Sequence, residues 1–190
     1  MNRTQAPRSS WPYGRAAVAI RQVHPEQDLP ALSDFFAGLS THSRYLRFFG
    51  PVTPGAALLR TLAGCADNVD ALVAVRGSVI VGHAMAVDRL EPKDPRGTRV
   101  TDIGVVVDDA WQGRGVGAAL MRAIVTGAQA RGVTLLEMDV LDGNRQVLAM
   151  VTGHWPAARV ERTPDGLAIR VRLSQASVTP AEVTPHLALG

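Results

Sequence analysis

The chain holds one cysteine, Cys65, few aromatic residues and no apolar run of membrane-spanning length in its 190 residues. A lone cysteine excludes an intramolecular disulfide and is too little for a Cys-rich metal site; it reads as a small buried residue in a helix. The first twenty residues contain arginines, but their longest apolar run, "AAVAI", is too short for a signal peptide. Those absences favour a cytosolic protein with no membrane contact. The basic residues are almost all arginine and lie scattered without a Lys/Arg block, so the net charge of +3 implies no nucleic-acid partner.

What is present describes one folded domain over residues 16–173. An arginine-rich arm (1–15) is expected before it, and a Thr, Ala and Pro-rich tail (174–190) after it. "AAVAIRQV" (16–23) reads as a strand and "HPEQDLPALSDFFAGL" as a helix with Leu29, Leu32, Phe35, Phe36 and Leu39 at helical spacing. "STHSRYLRFFG" (40–50) is a second short helix, and Thr53 with Pro54 opens a third. Two apolar runs joined by Gly77-Ser78 are a hairpin, and "TRVTDIGVVVDD" is the third strand of that meander. A helix over 115–131 precedes the strand "VTLLEMDVL", which should therefore run parallel to its predecessor. A short helix, "NRQVLAMVTG", and a final hairpin complete an α/β (α+β) pattern. The sheet is mixed and mostly antiparallel, with one parallel βαβ step.

The stretch "VVVDDAWQGRGVGAAL" (105–120) falls inside that step. Glycine weakens strands and helices alike, so three on alternate positions at their junction indicate a backbone held close to a ligand. Free amide N–H groups at a helix start suit a phosphate. "GRGVGA" also fits a dinucleotide fingerprint, with Glu137 or Asp139 as the distal acid. Against it, "DDAWQ" separates Val107 from Gly113, and the unit follows an antiparallel meander instead of opening a doubly wound sheet.

Gln112-Gly113-Arg114-Gly115-Val116-Gly117 resembles the Q/R-x-x-G-x-G/A motif of the GCN5-related N-acetyltransferases (GNAT), which bind acetyl-coenzyme A. The resemblance covers roughly residues 16–173. It implies a GNAT fold and a diphosphate held by the amides of Gly113 to Gly117, with Arg114 within reach. It also implies an extended cofactor arm paired with the backbone of Val105, Val106 and Val107. One N–H of that strand end would face the acyl oxygen. Asn144 matches a family asparagine and also suits a helix N-cap. No metal is implied.

Asp102 sits mid-strand on the pleat face of Val100, Gly104 and Val106. Such burial would raise its pKa and suit a general base that takes a proton from the attacking amine. "FFAGLSTHSRYLRFFGPVTP" with "DIGVVVDDAWQGRGVG" resembles the bacterial protein-lysine acetyltransferase branch. There the acid is usually glutamate, so the shorter Asp102 points to a bridging water. The same resemblance places Ser43, Arg44, Tyr45 and Arg47 on the acceptor side. The family's acid tyrosine has no counterpart in "VLAMVTGHW"; His154 is the substitute, or the thiolate leaves unassisted. His83 is read as a sheet histidine, and Cys65 has no role in the chemistry. A protein lysine is the expected acceptor. The alternatives are a small amine (polyamine, amino acid or antibiotic) and a non-catalytic coenzyme A-binding module.

Overall fold

Alternating and helical apolar spacings become thirteen elements in the computed structural model, which describes residues 17–91, 94 and 97–173. The expected arm and tail lie outside the described residues. The chain begins with β1 (Ala19–Gln22), then α1 (Pro25–Gly38), α2 (Thr41–Phe48) and α3 (Ala56–Leu62). The meander is β2 (Val69–Arg76), β3 (Val79–Leu90) and β4 (Arg99–Val107), with Gly77 at φ 60° turning the first hairpin. A single 3-10 turn (Asp109–Trp111) leads to α4 (Val116–Ala130), β5 (Leu135–Val140), α5 (Arg145–His154), β6 (Arg159–Thr163) and β7 (Gly166–Arg172).

The seven strands order as β1-β2-β3-β4-β5-β7-β6. Only β4 with β5 is parallel, as the helical crossover α4 requires. Helices cover both faces. Leu120, Ile124 and Ala128 of α4 recur at helical spacing and are fully buried against Ala74, Ala84, Leu136 and Ile169. On the opposite face Leu32, Phe35 and Phe36 of α1 and Leu62 of α3 meet Val73, Met85 and Val106. The central strands β2 and β3 are therefore buried on both sides, which explains their nearly continuous apolar runs.

Two local expectations are corrected. The third helix starts at Ala56 with Gly55 as its N-cap, not at Thr53-Pro54. Pro54 is buried in an extended segment, so its ring packs instead of opening the helix. Cys65 is exposed and lies beyond α3. Gly64, at φ 77°, ends that helix in a left-handed cap, and its N–H donates to Thr61 O.

Candidate functional site

The cleft originates in a failure of strand pairing. β4 and β5 share register only at Val100↔Leu135, Thr101↔Leu136 and Asp102↔Glu137. Beyond Asp102, β4 stays on β3 while β5 is held by β7, so the two strands part. The edge of Ile103–Val107 that faces away from β3 has no strand partner, leaving main-chain donors and acceptors open to a ligand. A cavity of about 790 Å³ fills the gap, from Gly113, Gly115 and Gly117 at one end to Arg47, Met85 and Asp102 at the other.

At the glycine end, Gly113 and Gly115 adopt φ 70° and 81°, the left-handed region that L side chains resist. Nothing lies within 4 Å of where a Cβ at either would stand, so open space fronts this part of the turn. Gly115 is the N-cap of α4 and donates no side-chain cap, so the first amides of the helix face that space. These features leave main-chain amides at a helix start facing open space, an arrangement that suits an anionic group such as a phosphate. Arg114 and Arg76 both lie over the Trp111 ring, at 5.1 and 5.3 Å, adding positive charge beside it. Val105, Val106 and Val107 line the cavity, as do Gln112 and Asn144. Asn144 also caps α5, its Oδ1 accepting from Val147 N at 3.3 Å, so both readings of that residue coexist.

Gln112 does something the motif alone does not reveal. Its Nε2 donates to Val107 O and to Ser43 Oγ, each at 3.1 Å, tying the turn to α2. Asp109 reinforces the tie. Its carboxylate accepts from Ser40 N at 2.9 Å and from the hydroxyls of Ser40 and Ser43, both at 2.7 Å. Partial burial would raise the Asp109 pKa, but these donors outweigh it and hold the carboxyl below its usual range.

At the other end, Asp102 lines the cavity with its side chain 47% exposed. The burial expected from its strand neighbours is absent, because the splay opens beside it and Arg89 reaches across. Arg89 Nε donates to Asp102 Oδ2 at 3.0 Å, and its Nη2 to Glu137. Arg170 also pairs with Glu137, at 2.5 Å, and with Glu91 at 4.0 Å. Three carboxylates thus share two guanidiniums in this cluster, and of them Asp102 is the one that lines the cavity. Half-exposed pairs of this kind stabilise a fold by about 0–1 kcal/mol each, so they orient Asp102 more than they stabilise the domain. Arg89 and Arg170 were not singled out from sequence. Each stands one residue among many arginines, and only the β3-β4-β5-β7 order brings them together.

Of the four residues expected on the acceptor side, Arg47 is placed with its guanidinium over Gly104. Ser43 is buried at the cavity wall and spends its hydroxyl on Asp109 and Gln112. Arg44 lies off the cavity, donating to Ala37 O and Leu39 O at the end of α1. Tyr45 is 47% exposed and does not line the cavity, because it lies on the solvent side of α2. His154 does not line it either. It is exposed at the end of α5, with Nδ1 3.0 Å from Met150 O. The α5 residues that line the cavity are Gln146, Val147, Ala149 and Met150, all earlier in the helix. His83 is a sheet histidine, fully buried, with Nε2 2.8 Å from Leu62 O. Burial pushes its pKa down to about 3, so the ring is neutral. No group of His, Cys, Asp and Glu among the described residues could hold a metal ion, and no helix there is long and apolar enough to cross a membrane.

Residues 41–152 match the family model described as "Acetyltransferase (GNAT) family", more than half of the chain. The GNAT domain of S. lividans PAT superposes with a TM-score of 0.71 at 24% identity, over 82% of this chain and 90% of that one. The ribosomal-protein-alanine N-acetyltransferase from Brucella melitensis gives 0.65 at 19% identity, over 82% and 99%. The yncA protein from Salmonella typhimurium, solved with its cofactor acetyl-CoA, gives 0.63 at 14%, over 87% and 99%. No curated protein matches the sequence.

Proposed function

Because the chain belongs to the GNAT acetyltransferase family and is an acetyl-CoA-dependent acetyltransferase, we propose that its acceptor is the side-chain amine of a protein lysine. The observation that carries this reading is the cleft itself. A glycine cradle at one end and a carboxylate at the other are joined by an unpaired strand edge along which an extended donor would lie. The "LSTHSRYLRFF" segment, which resembles the lysine-modifying branch, forms α2 and covers the acceptor end. The structural likeness to the S. lividans PAT domain points the same way.

In this reading acetyl-CoA supplies the thioester, and the protein binds, orients and moves one proton. The amides of Gly113–Gly117 hold the diphosphate. The open edge of Val105–Val107 holds the arm, and one of its N–H groups donates to the acyl oxygen. Asp102 Oδ2 is occupied by Arg89, so Oδ1 receives the proton of the incoming ammonium, directly or through one water. The Asp102 carboxylate, which lines the cleft, attracts that ammonium. Neither tyrosine nor histidine lines the cleft among the described residues, so the departing thiolate takes no proton from such a group. The second proton of the amine nitrogen passes to the thiolate or to solvent as the tetrahedral adduct collapses, and a thiol pKa near 8.5 permits either.

The test is an acetyl transfer assay with acetyl-CoA against lysine peptides, folded proteins, polyamines, amino acids and aminoglycosides. Turnover of lysine peptides with kcat/KM well above that of the small amines is the expected result. Robust acetylation of a small amine and none of any peptide would overturn the lysine assignment. Coenzyme A binding without transfer to any amine would leave a binding module.

A further inference from the structure

Arg47 is the cation among the described residues lining the cleft; its side chain is half-buried there and enters none of the ion pairs of the neighbouring carboxylates. Its Nε is closed off from solvent and unsatisfied. The guanidinium is held in place by apolar surroundings. It stacks over the Phe48 ring at 5.1 Å and lies on Gly104 of β4, where a Cβ would come within 2.6 Å of its Cζ and displace the guanidinium from this position. The nearby imidazole of His83 is neutral and offers no countercharge. Desolvation brings the Arg47 pKa down to about 10, so the side chain remains a cation at neutral pH. A guanidinium with one nitrogen closed off and the side chain lining the cleft is suited to receive an anion that arrives with a ligand.

Asp102 and Gly104 share one pleat face two residues apart, which separates them by about 7 Å along the strand. The acceptor end therefore carries two poles at that spacing, a negative one at Asp102 and a positive one at Arg47. An extended peptide shows the same spacing between residues i and i+2. Building on the lysine reading above, we propose that Arg47 binds a carboxylate of the acceptor, and that preferred acceptors are lysines with Asp or Glu two positions away. The bidentate fit of guanidinium to carboxylate would orient the lysine while Asp102 takes its proton.

The test compares two synthetic peptides differing only in Glu or Gln two residues from a single lysine. A small arm uses an ω-amino acid and its amide, to separate a side-chain carboxylate from a free one. Wild type is expected to favour the Glu peptide at least tenfold in kcat/KM, mostly through KM. Arg47→Met should abolish the preference and Arg47→Lys restore part of it, with acetyl-CoA affinity by calorimetry unchanged in both. Because a cation outside those ion pairs is removed, Arg47→Met should also melt no lower than wild type. Equal rates for Glu and Gln peptides, with lysine transfer intact, would overturn the carboxylate site and leave the lysine reading standing. Absence of transfer to any peptide would defeat the lysine reading itself; a preference confined to the ω-amino acid would move the carboxylate to a small acceptor and overturn the peptide assignment. A lower melting temperature in Arg47→Met together with an unchanged Glu preference would make Arg47 structural.

Discussion

At one end of the cleft the working groups are main-chain amides, set by two left-handed glycines and the start of α4. At the other end they are carboxylates and guanidiniums drawn from β3, β4, β5, β7 and α2, and none is placed by its local sequence. The first end depends on backbone conformation, so few residue types can occupy it. The second depends on distant side chains meeting, so one position can change what it recognises. A fold built this way can keep its donor while altering its acceptor.

The sharpest test of the glycine end is Gly115→Val. A β-branched residue at φ 81° is strained, and its side chain would enter the open space before the turn. Acetyl-CoA affinity should fall by about a hundredfold or more in calorimetry, with far-UV circular dichroism unchanged. Gly117→Ala supplies the contrast: its Cβ meets Val107 Cγ2 at 3.5 Å, an ordinary contact, so binding should stay within about threefold. Wild-type affinity in Gly115→Val would mean that the cradle is not made of backbone.

The acceptor end should fail differently. Asp102→Asn is expected to lower kcat by about 10²-fold while leaving acetyl-CoA affinity intact, as loss of a positioned base does. Asp139 is the other carboxylate lining the cleft, and Asp139→Asn should change kcat by less than about threefold. Were the large loss to fall on Asp139, the base would sit on β5 and the pole opposite Arg47 would move with it.

The contrast between the two ends also accounts for what could be read in advance. Element order and the parallel step followed from apolar spacing and from Gly77-Ser78, because those signals are local. The glycine turn was legible because positive φ leaves a composition signature. The environment of Asp102 was not. Its neighbours Val100 and Val106 are apolar, yet the strand splay and Arg89 leave it half-exposed and paired. Ser43 and Gln112, read from sequence as ligand contacts, line the cleft and also clasp α2 to the turn, a pairing 69 residues apart in the chain.

That clasp joins the two ends, and Asp109→Asn would loosen it. The carboxylate accepts three hydrogen bonds but lies near solvent, so the cost should be about 1 kcal/mol after screening. Since the folded-state pKa of Asp109 lies below its ordinary value, its contribution is fully present above about pH 4–5. It is lost as the pH falls through the folded-state value. Urea melts of wild type and Asp109→Asn should therefore differ at pH 7 and converge toward pH 3. A gap that persists or widens in acid would show that the stabilisation is not carried by the ionised carboxylate.

The smallest effect is expected at His154, and it decides how the thiolate departs. Its ring is exposed, one turn beyond Met150 on α5, with Nδ1 engaged by the Met150 carbonyl. A proton donor must come within hydrogen-bond reach of the leaving sulfur, and the α5 residues lining the cleft, Gln146, Val147, Ala149 and Met150, do not include His154. His154→Ala should thus leave kcat within about twofold at pH 7 and leave the shape of the pH–rate profile unchanged. Loss of the alkaline limb of that profile in the variant would place the histidine in the proton path and require α5 to turn inward when the donor binds.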